Sequence, residues 1–138
     1  MDSHNIQEFL GVDVGQARVG IARGNSGARL AQPLKTVSAG QAVSELLKLA
    51  AENHTSALVV GLPRGLDGNE TAQTHSVRQW VKDLAGQTSL PIYWQDEALT
   101  SKQAENQGPE PAVGNDAVAA AIILQDFLDS PENDRVAV

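Results

Sequence analysis

The stretch FLGVDVGQARVGIAR, residues 9–23, decides the fold. Its first six residues form a short apolar run, which predicts a buried strand. Residues 15–17 predict a tight turn, and the alternation in RVGIAR predicts a second strand that returns beside the first. Asp13 interrupts the first strand between two valines. Because a buried carboxylate is costly unless it is paired or binds a cation, Asp13 is a candidate for chemistry.

The segment after this hairpin predicts a third strand and then a helix. The strand falls between residues 29 and 37, where Pro33 suits a sheet edge or a break. Ser38 and Gln41 resemble a capping box, which predicts that the helix begins there. Helical spacing then places four apolar residues on one face: Val43, Leu46, Leu47 and Ala50.

Strands and helices alternate in the second half of the chain. The apolar run ALVVG at 57–61 predicts a parallel strand that is buried on both faces. Asn69 is a candidate N-cap for a helix that carries its apolar residues between 77 and 84. The remaining predicted elements are a strand at 90–95, a short helix at 100–107, a loop at 107–114 and a buried helix at 115–129.

This order of elements predicts an α/β fold with a five-stranded mixed sheet flanked by helices. We expect the first three strands to be antiparallel and the later strands to enter in parallel through right-handed crossovers. The folded domain is expected over residues 9–129. A polar lead at 1–8 precedes it, and a polar tail at 130–138, with little reason to be ordered, follows it.

Composition is that of one ordinary globular domain. The chain has 138 residues, of which 41% are hydrophobic and 20% charged. No cysteine is present, which excludes disulfides and thiolate chemistry and fits a reducing compartment. No apolar run approaches the roughly 18 residues of a membrane span, and the first residues do not resemble a signal peptide. We therefore expect a cytoplasmic protein without a membrane partner.

The negative charge is concentrated in the last third of the chain. Residues 1–94 carry eight acidic and eight basic side chains, whereas residues 95–138 carry nine acidic side chains against Lys102 and Arg135. The net charge of −7 therefore comes from the second segment. A nucleic-acid-binding protein usually shows a basic stripe, and the sequence has none. This pattern counts against tight, unaided binding of nucleic acid.

Three carboxylates are placed so that they could meet. Asp13 lies in the first strand, Glu97 follows the strand at 90–95, and Asp116 lies at the start of the last helix. Each has a structural explanation when taken alone; a helix N-terminus, for example, stabilises an anion such as Asp116. Together they form a set of hard oxygen ligands that suits Mg²⁺ or Mn²⁺. A pair of such ions could activate water for phosphodiester hydrolysis.

Four motifs resemble those of one known family. They are GVDVG at 11–15, VGLP at 60–63, DEALT at 96–100 and NDAVAA at 115–120. In this order and spacing they resemble the YqgF/RuvX family, which is also described as Holliday-junction-resolvase-like or as pre-16S rRNA nucleases. The resemblance covers roughly residues 9–129.

The resemblance implies a ribonuclease-H-like fold and a metal-dependent nuclease that acts on structured nucleic acid. The acidic triad and the metal ligands would be Asp13, Glu97 and Asp116, with two Mg²⁺ or Mn²⁺ ions. The favoured substrate would be RNA, namely the 5′ end of an rRNA precursor. The alternative would be DNA in the form of a Holliday junction. A ribosome precursor is the implied partner, for a monomer or a homodimer. The substrate-binding residues would be Arg18, Arg64 and Thr100.

Two departures from the family pattern keep other functions open. Ala98 stands where members usually carry arginine, and the short QGPEPAVG at 107–114 replaces a longer basic stretch. Both changes remove cations from the expected substrate face. A non-catalytic binding or ribosome-assembly factor is therefore the main alternative. An actin-like ATPase would need two large domains, for which 138 residues are too few.

Overall fold

The computed structural model describes residues 6–97 and 112–138. It contains one sheet of six strands in the order β3-β2-β1-β4-β5-β6. The strands are β1 (Glu8–Val14), β2 (Arg18–Asn25), β3 (Ala31–Ser38), β4 (Ala57–Leu62), β5 (Ile92–Asp96) and β6 (Val136–Ala137). The helices are α1 (Ala42–Glu52), α2 (Ala72–Ala85) and α3 (Asn115–Asp129).

The pairing of the strands confirms the predicted mixed sheet. β1 pairs antiparallel with β2, and β2 pairs antiparallel with β3. β4 lies parallel to β1, and β5 lies parallel to β4. Pro33 lies in the edge strand β3, where the register shifts, which agrees with the expected position of this proline. β1 therefore runs through the interior of the sheet and carries Asp13 with it.

The sixth strand corrects the expectation of five strands and of an unordered tail. Val136 pairs with Trp94 of β5, so the tail forms a short antiparallel edge. The Arg135 guanidinium lies 4.6 Å from the centre of the Phe127 ring, which anchors the segment before this strand. Val136 and Trp94 are far apart in sequence, and the local pattern of the tail therefore gave no sign of their pairing.

Two hydrophobic cores lie on opposite faces of the sheet. Leu10 and Val12 of β1 face the core that α1 and α2 cover. Phe9 of the same strand faces the core that α3 covers, where its ring meets that of Phe127 edge-on at 5.3 Å. The alternation of a strand therefore places Gly11 and Asp13 on the α3 face. All six residues of β4 are buried, as its apolar run predicted.

Both predicted helix caps are wrong. Asn69 donates instead to the Asp67 carboxylate, and α2 begins after Thr71. Thr71 and Thr74 bond each other's backbone N–H groups in a capping box. Ser38 precedes a short 3₁₀ turn without a side-chain bond, and Gln41 stands at the N-cap of α1.

The predicted helix at 100–107 and the first part of the predicted loop at 107–114 lie outside the described residues. Within the described residues, no helix combines the length and the apolar character that crossing a membrane requires.

Candidate active site

A row of three paired residues crosses the sheet and forms the base of the site. Asp13 of β1 pairs with Gly20 of β2, and Gly20 pairs with Thr36 of β3. Asp13 lies near the carboxyl end of β1, the end at which ligands bind in sheets with parallel strands. The row therefore joins a charged residue, a residue without a side chain and a hydroxyl at this end of the sheet.

The first turn of α3 rests directly on Gly20. A Cβ atom at this position would overlap the carbonyl group of Asp116 and would come within 2.6 Å of the Ala117 nitrogen. Asp116 belongs to the first turn of α3, where the positive end of the helix dipole stabilises its carboxylate. Because Gly20 also pairs with Asp13, the contact brings Asp116 over the strand next to Asp13.

Thr36 supplies a cap that α3 lacks in its own sequence. The N-cap residue is Gly114, which has no side chain and adopts a φ of 89°. The Thr36 hydroxyl accepts a hydrogen bond from the Ala117 N–H at 3.2 Å and donates one to the Val113 carbonyl oxygen at 2.6 Å. The Thr36 side chain thus bonds one residue before the helix and one residue in its first turn. These two bonds also fix the position of Asp116, which lies between them in sequence.

Glu97 reaches the same face from the other side of β1. Its backbone N–H bonds to the Leu62 carbonyl oxygen at 3.2 Å, which continues the pairing of β5 with β4. A Cβ atom at Gly61 would lie 3.2 Å from the Glu97 Cγ atom, so the Glu97 side chain passes over this glycine. Gly61 follows Val60, the partner of Val12 in β1. Glu97 and Asp116 therefore flank Asp13 on the α3 face.

The donor set of this face suits a hard divalent cation. Its three carboxylates offer oxygen ligands of the kind that Mg²⁺ and Mn²⁺ prefer. All three side chains are partly exposed: Asp13, Glu97 and Asp116. Nevertheless, within residues 6–97 and 112–138 no group of three or more His, Cys, Asp or Glu side chains is drawn together closely enough to hold a metal ion. The face therefore carries donors of a suitable chemical type, which the described structure does not gather around one point.

Arg18 forms an ion pair with one of these acids. Its Nε atom lies 3.0 Å from the Asp116 Oδ2 atom. Arg18 precedes Gly20 by two residues in β2, so both residues belong to the same face of the strand. The Arg18 side chain is 66% exposed, and that of Asp116 is 26% exposed. The pair therefore lies at the open edge of the site.

Arg64, another predicted substrate contact, pairs with an acid on the opposite face of the sheet. The Arg64 Nε atom lies 3.2 Å from the Asp96 Oδ1 atom. Asp96 and Glu97 are adjacent along the strand and point to opposite faces, so Arg64 and Asp96 lie on the side of α2. This pair gives Asp96 a structural contact away from the three candidate acids. Thr100 and Ala98 lie outside the described residues.

The sequence patterns that predict the three acids did not predict the residues that position them. Gly20, Gly61 and Thr36 are ordinary strand residues in the sequence, and their importance depends on contacts with distant segments. The spacing GVDVG with a second glycine at position 20 was the one available sign. It gave no reason to expect that a helix start lies on that glycine.

Comparison with known proteins places the chain in a family. The sequence model of the RuvX family, described as Holliday junction resolvase, matches residues 7–130. A relative from Chloroflexus aggregans is 40% identical over 94% of this chain and 98% of its own length. Another from Orientia tsutsugamushi is 38% identical over 94% of this chain and 88% of its own. Both are named for pre-16S rRNA nuclease activity.

Solved structures show the same fold. A Thermus thermophilus RuvC structure in complex with a Holliday junction substrate superposes with a TM-score of 0.61 at 17% identity. The match covers 96% of this chain and 99% of that chain. This likeness confirms the predicted ribonuclease-H-like fold, with six strands rather than five. With a family model that covers nearly the whole chain and relatives close to 40% identity, the protein belongs to the RuvX family.

Proposed function

We propose that the protein is a metal-dependent nuclease that hydrolyses phosphodiester bonds in structured nucleic acid, with the 5′ end of an rRNA precursor as its substrate. The observation that carries this proposal is the placement of Asp116 over Gly20 and of Glu97 over Gly61, on either side of Asp13. The names of relatives with 38–40% identity describe nucleases of pre-16S rRNA, which favours RNA over a DNA junction as the substrate.

In this proposal the carboxylates divide the work of holding a divalent cation. Asp13 and Asp116 would bind Mg²⁺ or Mn²⁺, and Glu97 would complete the ligand shell or orient the attacking water. When bound, a pair of such ions would supply an activated water and neutralise the charge on the leaving oxygen of a phosphodiester. The acids cannot remain close together without a compensating positive charge, because like carboxylates repel one another. Cation binding should therefore also stabilise the fold.

The chain itself positions the reacting groups. The helix start that contacts Gly20 and Thr36 holds Asp116 over the strand next to Asp13, which supports a shared role for the two acids. The positive end of the α3 dipole lies at the same point and favours the negative charge of a phosphate there. Arg18 at the open edge is a proposed phosphate contact, together with Thr100. Arg64 would reach a phosphate only by leaving Asp96.

The charge of the protein limits how it binds its substrate. A net charge of −7 and the concentration of acids after residue 95 disfavour tight binding to a bare nucleic acid. We therefore propose that the substrate is presented within a ribosome precursor, which places the protein in the cytoplasm. An isolated RNA should be cut slowly and with strong sensitivity to salt.

The proposal is tested with labelled rRNA precursor, linear RNA and four-way DNA junction, each incubated with Mg²⁺, Mn²⁺ or EDTA. Cleavage of the precursor with metal and none with EDTA is the expected result. Preferred cleavage of the junction would assign the resolvase activity instead. The precursor RNA is also offered within ribosome-precursor particles. If no substrate is cut in either form while metal still raises the Tm, the protein is a non-catalytic binding factor and the proposal is wrong.

A further inference from the structure

The ion pair between Arg18 and Asp116 joins a candidate metal ligand to a cation of the chain itself. The pair includes Asp116, one of the three candidate metal ligands. The two residues are 98 positions apart in sequence, so the fold brings them together. The guanidinium lies 3.0 Å from the carboxylate, at hydrogen-bonding distance.

A guanidinium and a divalent cation compete for the same carboxylate. An oxygen that accepts a charge-assisted hydrogen bond donates less electron density to a metal, and the two positive charges repel each other when both are close. The described residues contain no group of three acidic or imidazole ligands that is gathered for a metal.

We propose that Arg18 is a built-in counter-ion of Asp116, and that binding of the divalent cation transfers its guanidinium from Asp116 to a phosphate of the substrate. This inference rests on the proposed nuclease function and adds a coupling between the metal and the nucleic acid. The Arg18 side chain is 66% exposed and lies at the edge of the site, so it has the freedom to turn outward. Guanidinium also matches phosphate in geometry and charge.

The transfer makes the two ligands help each other to bind. Metal binding at Asp116 releases Arg18, and a released Arg18 raises the affinity for phosphate. By linkage, the nucleic acid must raise the affinity for the metal by the same factor. Because of this coupling, the affinity of the protein for the divalent cation is low without nucleic acid and rises when nucleic acid is bound.

The first test measures binding of Mn²⁺ alone to the full chain by isothermal titration calorimetry. We expect Arg18→Gln to bind Mn²⁺ roughly two- to fivefold more tightly than the wild type, the range that loss of an exposed ion pair gives. Arg23→Gln is the matched control, because it removes the same charge from the opposite end of β2. Equal affinity in the wild type and Arg18→Gln, equal tightening in both variants, or no Mn²⁺ binding at all would overturn the inference.

A second test follows the guanidinium in the wild-type protein by NMR. The Arg18 Nε–H signal, assigned by its loss in Arg18→Gln, should shift as Mg²⁺ is added. The Arg78 Nε–H signal, whose group donates to Glu70, should stay in place. In EDTA, Arg18→Gln should bind the precursor RNA within twofold of the wild type, whereas its KM for cleavage with Mg²⁺ should rise by about tenfold. An Arg18 Nε–H chemical shift that does not change when Mg²⁺ is added would contradict the transfer.

The outcomes separate this inference from the nuclease proposal. If the wild type cleaves its substrate but Arg18→Gln has the same Mn²⁺ affinity as the wild type, the counter-ion inference is wrong and the proposed nuclease function stands. If Arg18→Gln binds Mn²⁺ more tightly and the Arg18 signal shifts, but no substrate is cleaved, the counter-ion role stands and the nuclease proposal is wrong.

Discussion

Asp116 sits directly on Gly20, so closely that a Cβ atom at position 20 would overlap the Asp116 carbonyl group. Gly20 is the pairing partner of Asp13. A residue without a side chain therefore sets the distance between two acids that come from the first strand and the last helix. The geometry of the site depends on this contact as much as on the acids themselves.

Gly20→Ala should damage both stability and activity. The added methyl group must push the start of α3 away from the sheet, which we expect to lower the free energy of unfolding by about 1–3 kcal/mol. Cleavage should fall by more than the loss of folded protein explains, because Asp116 moves with the helix. Denaturant titration and kcat of the folded fraction measure the two effects.

The matched control for this substitution is Gly40→Ala. A Cβ atom at Gly40 would meet no atom within 4 Å, so this variant should keep its stability and its activity. A Gly20→Ala protein that unfolds and cleaves like the wild type would show that α3 does not depend on this contact.

Thr36→Val should loosen the start of α3 without changing the volume of the side chain much. The substitution removes the acceptor for the Ala117 N–H and the donor for the Val113 carbonyl oxygen. We expect a loss of about 1 kcal/mol, typical of a lost helix cap, and a severalfold lower kcat. Thr36→Ser keeps the hydroxyl and should recover most of both quantities. If serine restores neither quantity, the cap is not the reason for the effect.

Asp126 gives the protein a pH dependence that is separate from the site. Burial in α3, and to a lesser degree the charge of Asp129, raises the pKa of the Asp126 carboxyl above its ordinary value. Between the ordinary pKa and this raised one, the folded protein holds more protons than the unfolded chain. Ionisation of Asp126 therefore destabilises the fold as the pH rises through the folded pKa.

Asp126→Asn should accordingly raise the Tm at neutral pH, by roughly 1–3 °C since solvent screens much of the effect. The advantage should shrink as the pH is lowered through the folded pKa and should vanish below the ordinary pKa of aspartate. Melting curves recorded from neutral pH down to about pH 3 measure it. An unchanged or lower Tm at neutral pH would contradict the assignment of burial as the cause.

The parts of the fold that follow local pattern could be predicted from the sequence. The hairpin of β1 and β2, the buried strand β4 and the helix α3 each show a clear alternation or an apolar run. The edge position of β3 followed from Pro33, which cannot donate a hydrogen bond within a ladder. These elements carry Asp13 in β1 and Asp116 in α3.

The rest depends on contacts between distant segments. β6 forms where Val136 pairs with Trp94 and Arg135 lies over the Phe9 ring, and neither contact leaves a local signal in the sequence. The cap of α3 comes from Thr36 on another element, whereas capping patterns are sought next to the helix itself. The pairing of Arg18 with Asp116 is of the same kind. Such relationships require the folded structure.

The most direct test of the central claim is metal-dependent cleavage of the rRNA precursor by Asp13→Asn. The substitution keeps the shape of the side chain and removes the charge, so the fold should persist and kcat should fall by at least about a thousandfold. Asp83→Asn is the matched control, because Asp83 lies in α2 on the opposite face of the sheet, and it should cleave like the wild type. Cleavage by folded Asp13→Asn at the wild-type rate would contradict the account.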